Sequence, residues 1–355
     1  MIGSLKRPST AACTLPKYIS FLLSEPKFLS CSRVGEVLNM SHDSVNRFLY
    51  REDYTALDLF NEAKQSLDLN GGVLSVDDSV LDKPYAQYIN YVSYFWSGKH
   101  HATVKGINLI TMYYTDPKGL HLPVNFRIYD KSDNKTKNDY FLEMLEELIR
   151  WGLHPAAVTG DNWYSSVNNL KTVRNHELGL LFAVESNRLV SEVKGTWTQV
   201  QHLDVPEEGV VVWLKGFGQV KVFRTHLKDQ KRHYIVHLPS QTGCKTSLGK
   251  LRQFHADDFT RWHDDHWKIE QYHRAIKQVC HIERFQVRGK VAIKNHFFVA
   301  IYGFVQLQKL SAIYVLKNCY DIQRTLFNDV IRAFVEAFAP TMSNLEPQFK
   351  SSINA

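Results

Sequence analysis

The sequence predicts an α/β fold: a mixed sheet carrying a mostly β insertion, with helices before and after it. Three observations predict it. Val73–Asp78 is a short apolar run of strand length that ends in two carboxylates. Two further strand-like runs, Val104–Tyr114 and Leu120–Tyr129, flank Thr115-Asp-Pro-Lys-Gly119, where Pro and Gly supply turn dihedrals, so they form a hairpin. Then Phe141, Met144, Leu145, Leu148 and Ile149 repeat at helical spacing, with Gly152 just past the end, and Ala156–Asp161 is a second strand ending in a carboxylate. A helical segment (Ser165–Asn175) and another strand (Leu180–Glu185) follow. Strand with acid, two strands, helix, strand with acid, helix, strand is the order of an RNase H-like α/β domain.

The flanking regions read differently. Residues 1–70 lack strand alternation and form a helical N-terminal region. Val34, Val37 and Leu38, then Val45, Phe48 and Leu49, lie at helical spacing about the turn Asn39-Met40-Ser41, with Ser41 placed to cap the second helix. Such a pair resembles a helix-turn-helix whose second helix, with Asn46, Arg47 and Arg51, enters a major groove; a helical hairpin that touches no DNA has the same pattern. Residues 71–189 make up the first part of the RNase H-like domain. Residues 190–255 alternate short strand runs with Pro, Gly and charged turns, and so long a segment is expected to carry its own fold. Residues 256–318 complete the domain with a long polar helix and an apolar one, and 319–355 hold a last helix and a polar tail.

A net charge of +7 and a pI near 9.0 favour a polyanionic partner, nucleic acid first. The hydrophobic fraction of 44% excludes a disordered chain. Five cysteines without C-x-x-C spacing indicate neither a zinc site nor a disulfide framework, which fits a reducing cytosol. No signal peptide is visible, and the apolar stretch Phe297–Val305 is too short to span a bilayer, so no membrane association is expected.

The chemistry is read from acids and one helix. Asp77 and Asp78 end one strand, Asp161 ends another, and Glu270 lies on the late polar helix. Three carboxylates from two strand ends and a helix suit two Mg²⁺ ions, which prefer carboxylate, water and phosphate oxygens and clamp the attacking and leaving oxygens of a phosphodiester. Successive strand residues face opposite ways, so one of Asp77 and Asp78 is the ligand, and spacing does not choose between them. Each aspartate alone also reads as a turn or helix cap. On the helix, His263, His266, Trp267, Glu270, His273, Arg274 and Lys277 share one broad face, suited to a phosphate backbone. Arg284 and Arg288, just after it, are further phosphate-contact candidates.

These residues resemble the DDE transposases of bacterial insertion sequences. The similar branch has a β-strand insertion between the second Asp and a signature helix of Tyr-x2-Arg-x3-Glu-x6-Lys form. Val73–Ser79 resembles the first motif, which places Asp78 at the first catalytic position; Val158–Ser165 resembles the second, with Asp161; Glu270 and Lys277 match Glu-x6-Lys. Ser79 stands where Thr is usual, and His263 and His266 occupy the Tyr and Arg positions, with Arg274 one turn beyond Glu270. The resemblance covers about residues 70–315. It implies Asp78, Asp161 and Glu270 as catalytic metal ligands, two Mg²⁺ ions with Mn²⁺ as a substitute, and Lys277 as a phosphate contact. It further implies cleavage at element ends, attack of the freed 3′-hydroxyl on target DNA, double-stranded terminal inverted repeats and target as partners, a homodimer bridging both ends, and a bacterial cytoplasmic, nucleoid-associated location. Some members hold a flipped base against an aromatic residue of the insertion, a place that Trp197 or Trp213 could take here, although both read first as insertion core; Trp163 and Tyr164, next to Asp161, have the better claim to line the site. An RNase H-like nuclease without strand transfer, and a DNA-binding protein that has lost catalysis, are the competing readings.

Overall fold

Ten residues of one strand organise the molecule, and of the helices ahead of it the first and third pack on a late apolar helix and the fourth on a strand of the same sheet. The structure is a computed structural model, and it describes residues 12–25, 29–98, 100–227, 230–240, 243–314, 319–326, 328, 330–333 and 335–336. Four helices come first: α1 (Leu15–Ser24), α2 (Cys31–Leu38), α3 (His42–Arg51) and α4 (Ala56–Ala63). Strand β1 (Val73–Asp82) follows, then β2 (Ser93–Ser97), β3 (Ala102–Thr115) and β4 (His121–Ile128). Helix α5 (Lys137–Arg150), capped by a reciprocal Thr136–Asp139 box, crosses over to β5 (Ala157–Gly160); α6 (Val167–Asn175) leads to β6 (Gly179–Val184).

β1 pairs antiparallel with β3 along its whole length and parallel with β5, which is parallel to β6. Parallel neighbours need a crossover, and α5 and α6 supply the two. The order β4-β3-β1-β5-β6, with only β3 reversed between β1 and its hairpin partner, is the RNase H-like arrangement expected from the sequence. Both faces of β1, β5 and β6 are covered, so Leu74, Val76, Val158 and Phe182 are fully buried.

The insertion does not form a separate body. It contains β7 (Leu189–Ser191), β8 (Thr198–Gln199), β9 (Val210–Leu214), β10 (Gly218–Leu227), β11 (Gln230–His237) and a small separate pair, β12 (Pro239–Ser240) with β13 (Gly243–Thr246). β11 pairs antiparallel with β6, and β10, β9, β7 and β8 continue outward, giving one eleven-stranded sheet. The expectation of an independent fold is corrected for a physical reason: β6 would otherwise present a row of unpaired backbone groups, and β11 satisfies them.

Helix α7 (Leu248–Gln253) leads to α8 (Ala256–Gln278), then α9 (Lys290–Tyr314) and α10 (Cys319–Leu326). The expected last helix, Asp321–Phe338, lies partly outside the described residues. No helix among the described residues is long and apolar enough to cross a membrane.

The helical pair read from residues 31–51 is present: Asn39 closes α2 in the left-handed region and the Ser41 hydroxyl accepts from the Asp43 N–H to start α3. A Cβ on Gly35 would lie 2.6 Å from the Met40 carbonyl oxygen, so only glycine allows the turn to fold back so closely. α3 is held by α9. The Asn295 amide donates to the Leu49 and Glu52 carbonyls, 2.7 and 2.6 Å, and accepts from the Tyr54 N–H at 3.3 Å. His296 stands between the Tyr18 hydroxyl (3.0 Å) and the Ile282 carbonyl (3.1 Å), so its Nε2 carries the proton and Nδ1 accepts. Because all three Asn295 partners are buried backbone groups, Asn295→Ala is expected to lower unfolding free energy by about 2–4 kcal/mol in urea titration.

Candidate active site

The acids are placed by strand alternation and by one glycine. Asp77 and Asp78 adjoin on β1 and point to opposite faces. Asp77 faces α8, where His273 Nδ1 lies 3.4 Å from its Oδ2. Two residues earlier on the same face, the Ser75 hydroxyl accepts from Thr159, whose Oγ1 lies 3.1 Å from His266 Nδ1. Asp78 meets a different set: Lys137 Nζ at 2.7 Å, the Asn108 amide at 2.5 Å and the Tyr164 hydroxyl at 3.0 Å all donate to it. Its carboxylate is mostly enclosed by these three donors.

Asp161 follows β5 directly. A Cβ on the preceding Gly160 would lie 2.6 Å from the Phe182 ring, so the strand end and its acid can sit this deep only with glycine there. The Asp161 carboxylate accepts the Trp163 N–H at 3.0 Å and caps a single helical turn. Glu270 projects from the exposed edge of α8.

Electrostatics tie three of the four acids together. Burial pushes the Asp77 carboxyl up to about 7, with Asp78 adding repulsion, against the Asp78 N–H, Lys137 and Lys277. Burial likewise pushes Asp161 up to about 7, with Asp77 and then Asp78 adding to it. Glu270 is also raised, first by desolvation and then by Asp77, while His273, Arg232 and Arg274 oppose. Asp77 is therefore the acid that both Asp161 and Glu270 feel.

A hard divalent cation suits this donor set, because carboxylate oxygens from two strands and a helix are the ligands such ions prefer. Among the described residues, no three Asp, Glu, His or Cys side chains stand close enough together to hold an ion as they are. The feature that fits a cation is the crowding of buried carboxyls: Asp77, pushed up to about 7 by burial and then Asp78, and Asp161, pushed up to about 7 by burial and then Asp77 and Asp78, are groups that a dication neutralises.

The remaining expected residues divide. His263 is wedged between Phe259 and Tyr234, its Nε2 3.2 Å from the Tyr234 hydroxyl, and burial lowers its pKa. His266 sits over the sheet, and burial pulls it down to about 4, so it is neutral at pH 7. Neither presents a charged donor to solvent, so the single broad face expected of α8 splits: His266 and His273 turn to the sheet, while Trp267 and Arg274 are exposed. Lys277 Nζ donates to the Val80 carbonyl at 2.8 Å, on the same strand as Asp77. Arg284, Arg288 and Arg47 are exposed. Trp163 is 60% exposed with Lys137 Nζ 5.1 Å from its ring centroid, whereas Tyr164 is buried against Asp78. Of the insertion tryptophans, Trp213 has Lys194 over its ring at 5.0 Å and Trp197 is 38% exposed. Lys137 escaped sequence reasoning, since it opens a helix far along the chain and no local pattern marks it; Arg232 belongs to the basic run of residues 228–233, which reads from the sequence as a solvated hairpin tip, yet its charge acts on Glu270.

The family described as transposase DDE domain matches residues 70–302, from β1 into α9. Among solved structures, a Drosophila P element transposase strand transfer complex is similar at 11% identity over 53% of this chain and 48% of that one, with a TM-score of 0.27. A Marinitoga piezophila Argonaute in complex with a 5′ OH guide RNA is similar at 9% identity over 54% of this chain and 25% of that one, with a TM-score of 0.21. The chain thus spans less than half the length of either. No curated protein matches. With its family match spanning both acid-bearing strands and the signature helix, the chain belongs to the transposase DDE domain family.

Proposed function

We propose that this protein is a transposase that cuts double-stranded DNA at the ends of its element and joins the freed 3′-hydroxyl to target DNA, using divalent metal. The observation that carries the reading is the set Asp77, Asp161 and Glu270, three carboxylates raised by desolvation on two neighbouring strands and one helix, with Asp77 adding to the shift of both others. Asp77 takes the first position in place of Asp78, since Asp78 is consumed by Lys137, Asn108 and Tyr164. These three acids would hold Mg²⁺ or Mn²⁺, which lowers the pKa of the attacking water or hydroxyl and stabilises the departing oxygen.

The chain's own residues do the rest. His273 buttresses Asp77 from the helix side. Lys137 fixes Asp78 and covers the Trp163 ring, which orients the wall of the site beside Asp161. Arg274, Arg284, Arg288 and, on α3, Arg47 are exposed cations for phosphate contacts, which supply affinity without reading sequence. Lys277, tied to the Val80 carbonyl, adds positive charge beside Asp77. In a family whose reaction joins two element ends, a homodimer is the expected working form.

The test incubates labelled element-end DNA and target DNA with the protein, with and without Mg²⁺, beside Glu270→Gln. Joined products that need both Mg²⁺ and Glu270 support the reading. Cleaved ends that never join reduce the protein to a nuclease, and binding without cleavage under any metal reduces it to a DNA-binding protein.

A further inference from the structure

The face of the sheet that carries Asp77 does not end at β1. In an antiparallel ladder, paired residues share a face. Asp77 pairs with Thr111, Ser79 with Leu109 and Leu81 with Ile107; two residues further along β3 is Lys105, which pairs with Tyr94 of β2, and then Thr103, which pairs with Trp96. Tyr94 and Trp96 therefore lie on the same face as Asp77, about 20 Å or more along it, taking the strand rise over the six residues from Thr111 to Lys105. Between them stands Lys277, whose ammonium is on the Val80 carbonyl.

Both rings are exposed, Tyr94 by 64% and Trp96 by 65%, while Phe95 between them is buried edge-on against Tyr129 at 5.8 Å. The strand is anchored by the inward ring and offers the outward two. Cations surround it: Lys131 donates to the Tyr94 carbonyl at 3.3 Å and lies 5.2 Å from the Phe95 ring, and Lys105 stands directly across from Tyr94. The nearby acids are already paired, Asp82 with His100 at 2.9 Å and Asp130 with Lys290. A polyanion fits this surface better than an apolar protein partner.

We propose that Tyr94 and Trp96 form a stacking platform for unpaired DNA bases leading away from the cleavage site, with Lys105 contacting the backbone. This rests on the transposase reading and adds to it the state of the DNA strand bound. Side chains two apart on a strand are separated by about 7 Å, which is two stacked base steps, so a base inserts between the rings. A duplex hides base faces from such rings, whereas every unpaired base has a free face.

The test uses the full chain in EDTA, with fluorescence anisotropy of a labelled oligothymidylate and of an equally long duplex. Trp96→Ala is expected to weaken oligothymidylate binding by about 5- to 100-fold, Tyr94→Ala by less, with Trp96→Phe keeping most of the affinity and duplex binding nearly unchanged. Thermal unfolding of each variant confirms that these exposed substitutions leave the fold intact. Unchanged oligothymidylate affinity in the double alanine variant overturns the platform, as does an equal loss on duplex. A fall in oligomer mass without a change in affinity also overturns it, making the patch a contact between copies. If the wild-type protein cuts element ends in Mg²⁺ but the variants bind unpaired DNA normally, only the platform fails; if it binds neither DNA, the transposase reading fails with it.

Discussion

Asp77→Asn is expected to abolish metal-dependent cleavage, a loss of about 10³-fold or more, because a metal ligand carries several kcal/mol of transition-state stabilisation. Asp161→Asn and Glu270→Gln should do the same. Asp78→Asn provides the contrast. Its carboxylate is bound by Lys137, Asn108 and Tyr164, so its loss should cost about 10- to 100-fold in rate, as outer-shell partners do. It should also cost about 3 kcal/mol in stability, since the side chains of the Asp78–Lys137 pair are only 13% and 16% exposed and the lysine is left uncompensated. Cleavage rates with equal folded fractions decide the matter. A dead Asp78→Asn beside an active Asp77→Asn would return the first catalytic position to Asp78.

The second large effect is a coupling of pH to metal. Asp77 and Asp161 both have native pKa values near 7, above the ordinary carboxylate value. A group raised in the native state stabilises fully at pH below its unfolded pKa and loses that contribution as pH rises through its native one. Without metal, stability should therefore decline as pH rises from the ordinary carboxylate range through about 7 and level off above it. A dication binds the charged carboxylates and offsets the loss, so Mg²⁺ should raise the unfolding temperature strongly at pH 8 and hardly at pH 5. Asp77→Asn should make the metal-free protein more stable at pH 8, by on the order of 2 kcal/mol, and should remove most of the Mg²⁺ effect. Scanning calorimetry at the two pH values, with and without Mg²⁺, reads this directly. An equal Mg²⁺ shift at both pH values would mean that the ion binds elsewhere.

How much of this was legible in the sequence depends on the range over which each feature is determined. The strand that leads into Asp161, the hairpin at Pro117–Gly119, the helical pair with its Ser41 cap and the long polar helix follow from local periodicity and turn chemistry, whereas β1 runs past Asp77 and Asp78 to Asp82, so those two acids lie mid-strand and not at its end as expected. The chain order of these elements was enough for an RNase H-like sheet, and the three acid motifs were enough for the family.

What lay beyond the sequence is what depends on which face a residue meets. Alternation put Asp77 and Asp78 on opposite sides of β1, but only the packing of α8 on one side and Lys137 with Tyr164 on the other separates the acid facing its partners from the acid already neutralised. The same holds for α8: helical spacing gathered seven residues into one arc wider than a contact face, and the sheet then took His266 and His273 and left Trp267 and Arg274 outside. The insertion showed its strands but not their partner, because strand pairing is a contact between distant segments, and here the open edge of β6 decided it. Short-range patterns determine elements and motifs; the facing of side chains and the joining of sheet edges are settled by burial and backbone hydrogen bonding across the whole chain.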